Sequence, residues 1–156
     1  MPAVEPWAKI IEYWRHSELS IRPGVQPSQV AEFQSKYGVT IPRDVLEYLE
    51  TVDGSCFDFT DSDCYRFWPL SEIRPVHEVL DDSTGVIYSD RFSYPDCFVF
   101  SDYLMNCWLY AVKFTGDPMQ PAPVYRVTAS ATPGEQMTPS FREFMVSYAA
   151  NPKSIL

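Results

Sequence analysis

Between residues 27 and 54 the chain punctuates itself twice, and that punctuation limits the folds open to it. The stretch Phe33-Gln34-Ser35-Lys36-Tyr37-Gly38-Val39-Thr40-Ile41-Pro42-Arg43-Asp44-Val45-Leu46-Glu47-Tyr48-Leu49 sets Gly38 after one amphipathic segment and Pro42 ahead of the next. Glycine takes the left-handed position that stops a helix, and proline fits a first helical turn, where its missing N–H has no intrahelical partner. Asp53-Gly54 supplies the second stop. The reading is a helix hairpin over residues 27–52 that buries Val30, Phe33, Tyr37, Val45, Leu46, Leu49 and Val52.

Elements of other kinds flank this hairpin. Trp7, Ile10, Ile11 and Trp14 recur at helical spacing, with Arg15 and His16 at the end, and predict a short amphipathic helix. Downstream the period changes to two. Phe57 and Phe59 alternate with Asp58, and Tyr65 and Phe67 with Arg66, so Thr60 to Cys64 read as a hairpin loop. Cys97–Tyr103 and Cys107–Phe114 read as an antiparallel pair and Val124–Val127 as a further strand. Pro139, Phe141, Phe144, Met145 and Tyr148 then predict a closing helix, ended by Asn151-Pro152. Prolines and glycines mark long loops at residues 115–123 and 129–138. The expected fold is α+β, a twisted, mostly antiparallel sheet carrying an N-terminal helix pair and a C-terminal helix.

With 156 residues and 46% apolar content, one domain spanning 1–156 can bury a sufficient core without staples. Cys56, Cys64, Cys97 and Cys107 contain no C-x-x-C pair, so reduced thiols are expected. His16 and His77 stand at no zinc spacing with them. No apolar run approaches a membrane span, and Glu5 and Lys9 come too early for a signal peptide, so the expected location is the cytoplasm. Charge is unevenly placed. From Asp44 to Asp102 there are fourteen acidic residues against three arginines, a net of −11, while the whole chain carries −9. Such a segment repels nucleic acid and membranes and attracts a basic protein.

The hairpin sequence, Trp68-Pro69-Leu70-Ser71-Glu72-Ile73, Phe98-Val99-Phe100-Ser101-Asp102-Tyr103 and Ser140-Phe141-Arg142-Glu143-Phe144 follow one another in fixed order. Together, over about residues 27 to 148, they resemble the SUKH superfamily, which includes a fungal regulator of cell-wall assembly and many bacterial immunity proteins. The Asp-Gly after the hairpin stands where that family more often has Asn-Gly. The resemblance implies a twisted sheet with helices to one side and a protein partner, and it brings no catalytic residue.

Enzymatic readings find little support. Cys56 or Cys64 with His77 lacks an oxyanion-hole glycine cluster, and a calcium loop beginning at Asp61 meets Tyr65 and Arg66 where a ligand and a glycine are needed. No catalytic residue, metal site or cofactor is expected. Asp102 falls in phase with Phe98 and Phe100 and reads first as a structural carboxylate satisfying nearby backbone donors, the alternative being a polar anchor at a partner surface, with Trp68 in the core and Glu72 a local acceptor. The expected function is a non-enzymatic immunity protein that binds a cognate toxin, encoded by a neighbouring gene and plausibly directed at nucleic acid; the alternative is a regulatory interaction module. Oligomeric state is left open. Acids interleave with aromatics in the middle third, so the expected partner-binding residues are Asp58, Asp61, Asp63, Tyr65, Asp81, Asp82, Asp90, Tyr94 and Asp96.

Overall fold

A computed structural model describes residues 6–55, 59–84, 96–105, 107–127 and 135–156, with backbone alone for 81–84. The elements run α1 (Trp7–His16), α2 (Pro27–Tyr37), α3 (Arg43–Thr51), β1 (Tyr65–Phe67), β2 (Arg74–Pro75), α4 (Val76–Thr84), β3 (Cys97–Tyr103), β4 (Trp108–Lys113), β5 (Val124–Val127), β6 (Glu135–Thr138), α5 (Phe141–Ala150) and a final 3-10 turn (Pro152–Ile155). The architecture is α+β, and every strand pairing is antiparallel. Among the described residues no helix is long and apolar enough to cross a membrane.

The helix hairpin forms as its punctuation requires. Gly38 closes α2 at φ +64°, and Pro42 occupies the extended position immediately before α3. Phe33, Val45, Leu49 and Val52 are buried, whereas Val30, Tyr37 and Leu46 pack half-exposed at the margin. Beyond α3 the chain turns at Gly54, φ +74°, where a Cβ would lie 2.6 Å from the Phe67 carbonyl oxygen and 2.7 Å from the Pro69 nitrogen. Both the dihedral and the space there demand glycine.

The sheet order is β1-β3-β4-β5-β6, with β2 also pairing with β3. β1 and β2 therefore occupy one edge of β3 in succession. Tyr65 faces Tyr103 and Phe67 faces Ser101, Trp68 N–H reaches the Phe100 carbonyl at 2.8 Å, and after an excursion Arg74 faces Val99. The β3–β4 register shifts between Val99 and Ser101, so Phe100 is the extra residue of a β-bulge.

One face of this sheet holds the aromatic core. Phe67 lies 4.7 Å from Tyr148, Phe100 5.1 Å from Phe141 and 5.5 Å from Phe144, and Phe98 5.5 Å from Phe33. Helices α2 and α5 thus cover the same side. α1 joins them through Trp7, 5.4 Å from Tyr48, and through Trp14, whose indole N–H donates to the Tyr148 hydroxyl at 2.7 Å. Both tryptophans are core residues.

Two expectations need correction, and one stretch has no reading in the sequence. Phe59 is not in a strand and is 67% exposed, and Phe57 and Asp58 lie outside the described residues; β1 pairs with β3, while the segment before it reaches back through the Ser55 N–H to the Phe67 carbonyl at 2.9 Å and the Asp61 N–H to the Tyr65 carbonyl at 2.8 Å. The proline- and glycine-marked stretch at 129–138 ends in a strand, β6, which pairs with β5. Residues 74–84, which have no clear sequence period, form β2 and α4. The bridge is short because Pro75 has no N–H to donate and Val76 already starts the helix.

Candidate protein-interaction surface

The sequence motifs converge on a polar junction. Asp102 is 2% exposed and its Oδ2 accepts from Trp68 Nε1 at 2.6 Å and Arg66 Nε at 3.2 Å. Arg66 Nη1 reaches Glu72 Oε2 at 2.9 Å, and its guanidinium lies 5.2 Å from the Trp68 ring centroid. Asp53 Oδ1 accepts the Leu70 N–H at 2.7 Å, and its other oxygen lies 3.6 Å from Arg22. At the remaining motif, Ser140 caps α5 by accepting the Glu143 N–H at 3.1 Å. These carboxylates and hydroxyls hold elements together. Asp102 is a structural carboxylate, as expected, but the expected phase is corrected: it binds side-chain donors and points away from Phe98 and Phe100. The bulge at Phe100 is the reason: one extra residue inverts the alternation beyond it.

The predicted partner residues fare unevenly. Asp61 is 4% exposed and Tyr65 0%, so neither presents a surface, and both are corrected from partner contacts to internal groups. Asp61 accepts from Asp63 N at 2.8 Å, from Tyr65 N at 3.0 Å and from the Tyr148 hydroxyl. Burial holds its carboxyl above the usual range in spite of those bonds. Asp63 is half-buried and accepts from the Tyr13 hydroxyl, while Ser17 and Ser62 meet at 3.0 Å. The loop before β1 is therefore stitched to α1 and α5, and its acids do the stitching. Asp96 is exposed at the mouth of β3, with φ +61°. Asp81 and Asp82 belong to α4, where only backbone is described, and Asp58, Asp90 and Tyr94 lie outside the described residues.

Internal use does not neutralise this charge. Asp61 and Asp63 take hydrogen bonds from backbone and tyrosines, and Asp102 and Glu72 share one guanidinium. The acidic field persists even where the carboxylates themselves are out of reach.

Catalytic furniture is sparse among the described residues. No group of three His, Cys, Asp or Glu is placed to hold a metal ion. Burial pushes the Cys97 thiol up to about 12, away from thiolate character. A shallow concavity of about 290 Å³ between α3, α5 and the 115–123 loop is lined by Arg43, Asp44, Glu47, Met119 and Arg142. Its carboxylates are committed: Asp44 Oδ2 accepts the Arg142 backbone N–H at 3.2 Å, and Glu47 Oε1 accepts from Trp7 Nε1 at 2.8 Å and from Arg142 at 3.4 Å.

What sequence reasoning missed is apolar. The β3–β4 connection exposes Leu104 by 46% and Met105 by 85%, beside the loop carrying Asp61 and Asp63. A bulky pair where a hairpin connection favours Asn or Gly was the available signal.

A helix hairpin, an antiparallel sheet and a closing helix, pinned together by polar residues of the sequence motifs, define an α+β module of the SUKH type. The SMI1 / KNR4 family (SUKH-1) matches residues 24–147, and the chain belongs to that family. The family covers both toxin-immunity proteins and SMI1/KNR4-like regulators. No curated protein matches the chain.

Proposed function

We propose that this protein is an immunity protein that binds a cognate toxin, encoded beside it and acting on nucleic acid, and neutralises it in the cytoplasm by covering its active site or an adjoining surface. The observation that carries this reading is the excess negative charge of the middle third, fourteen acids against three arginines. A nuclease cleft must be basic to hold phosphates, and an acidic protein competes for it without chemistry of its own. Family membership supports binding as the activity. Asp96 and the half-exposed Asp63 are the described acids from the predicted set that remain open to a partner, and Asp58, Asp81, Asp82, Asp90 and Tyr94 complete the proposed surface.

Co-expression tests it. The neighbouring gene's product should arrest growth alone, lose that effect when this protein is supplied, and co-purify with it. Rescue without complex formation would point to turnover, and neither rescue nor complex would favour the regulatory branch of the family.

A further inference from the structure

Local sequence and local geometry disagree at the β3–β4 connection. Leu104 and Met105 adopt φ +49° and +54°, a left-handed region that Asn and Gly occupy readily and bulky residues rarely. Met105 is 85% exposed and returns almost none of that cost by burial, and Leu104, 46% exposed, returns only part of it. Strained apolar residues left in solvent collect where a surface is used.

The two ends of the connection are fastened. Leu104 N–H donates to the Cys64 carbonyl at 2.9 Å, and Cys107 N–H to the Tyr103 carbonyl at 3.0 Å. Beneath it Tyr103 and Trp108 stack at 4.5 Å. Trp108 Nε1 donates to the Tyr110 hydroxyl at 2.8 Å, which donates in turn to the Ile155 carbonyl at 2.7 Å. Two apolar side chains on a fastened backbone enter a pocket at the cost of their own rotamers, with little further ordering of the chain that carries them.

The flank identifies the pocket's rim. Cys64 joins the tip to the loop of Asp61 and Asp63, whose partners are tyrosines and backbone rather than cations. Arg126, whose guanidinium lies 5.2 Å from the Trp108 ring centroid, is offset by Glu135 at 3.8 Å. Negative charge beside an apolar knob complements a cleft that is apolar within and basic at its edge, and disfavours an anionic bilayer.

We propose that Leu104 and Met105 are the anchor by which this protein seats in the toxin, entering an apolar cleft rimmed by basic residues. The proposal rests on the immunity reading and names its contact. The test replaces Leu104→Asn and Met105→Gly together, putting at both positions residues that the left-handed region favours. The melting temperature should hold or rise. Dissociation from the neighbouring gene's product should quicken at least about tenfold, with association and its salt dependence unchanged. Met105→Lys, at a side chain already in solvent, should quicken dissociation too. Wild-type and variant proteins that dissociate alike would overturn the anchor and leave the immunity reading standing; a wild type that does not bind overturns both. A lower melting temperature with unchanged dissociation would make the pair structural, and a dimer lost on substitution, seen by sedimentation, would assign the tip to a second copy.

Discussion

Asp102 accepts from the Trp68 indole N–H and from Arg66, whose guanidinium also pairs with Glu72. Truncating it to Ala leaves the buried indole N–H without its acceptor and Arg66 with one carboxylate fewer, and should cost about 3 kcal/mol in urea unfolding; Asp102→Asn keeps an acceptor and should cost less. The two hairpin-flanking glycines separate conformation from space. Gly38→Ala should cost about 1–2 kcal/mol for its left-handed backbone alone. Gly54→Ala should cost more, because its Cβ would collide with the Phe67 and Pro69 backbone. Asp61 carries a pH signature. Its carboxyl holds a proton more tightly folded than unfolded, so its contribution to stability is complete below pH 3.8 and is lost as pH rises through the raised value. Asp61→Asn should therefore gain on the wild type as pH rises through that window. That Asp102 is structural was legible from its place among apolar neighbours. Its orientation was not, because a bulge leaves no mark in a single sequence.

The elements that sequence predicted are those whose period and stops agree. α2 and α3 carry glycine and proline at their ends, β3 is a run of aromatics and β-branched residues, and α5 opens on a capping serine. β2 has two residues and β6 reads Glu-Gln-Met-Thr, so neither offers a period to recognise. They exist because a neighbouring strand presents open hydrogen-bonding groups, which is tertiary information. Phe59 shows the converse, since alternation with Asp58 produced no strand at Phe59, where the ring is exposed. At this scale the helix phase can be tested. Leu49→Ala should cost about 2–5 kcal/mol through lost burial and a cavity. Glu47→Ala should cost about 1 kcal/mol rather than nothing, because Glu47 accepts from both Trp7 and Arg142 and so fastens α1 and α5 to α3. Denaturant midpoints of the two variants decide both.

The whole molecule is a tyrosine-rich core inside a negative shell, and each half makes a prediction. Burial raises the hydroxyl pKa of Tyr48, Tyr65, Tyr110 and Tyr148. Unfolded tyrosines release their protons near pH 10 while these retain them. Stability should therefore be intact below pH 10 and fall above it by up to about 1.4 kcal/mol per pH unit for each such tyrosine; alkaline denaturation followed by tyrosinate absorbance should show one steep step. The shell concerns function. Sequence located its charge but not its division of labour, because only folding shows that Asp61, Asp63 and Asp102 are committed to tyrosine, tryptophan, arginine and backbone donors. The long-range field survives that commitment, and the toxin-binding account depends on it. Its most direct test is the association rate with the neighbouring gene's product across a salt series. The account predicts a rate approaching about 10⁸ M⁻¹s⁻¹ at low salt that falls steeply as ionic strength rises, with dissociation nearly constant. An association rate indifferent to salt would contradict it and leave the acidic segment as a solubility feature.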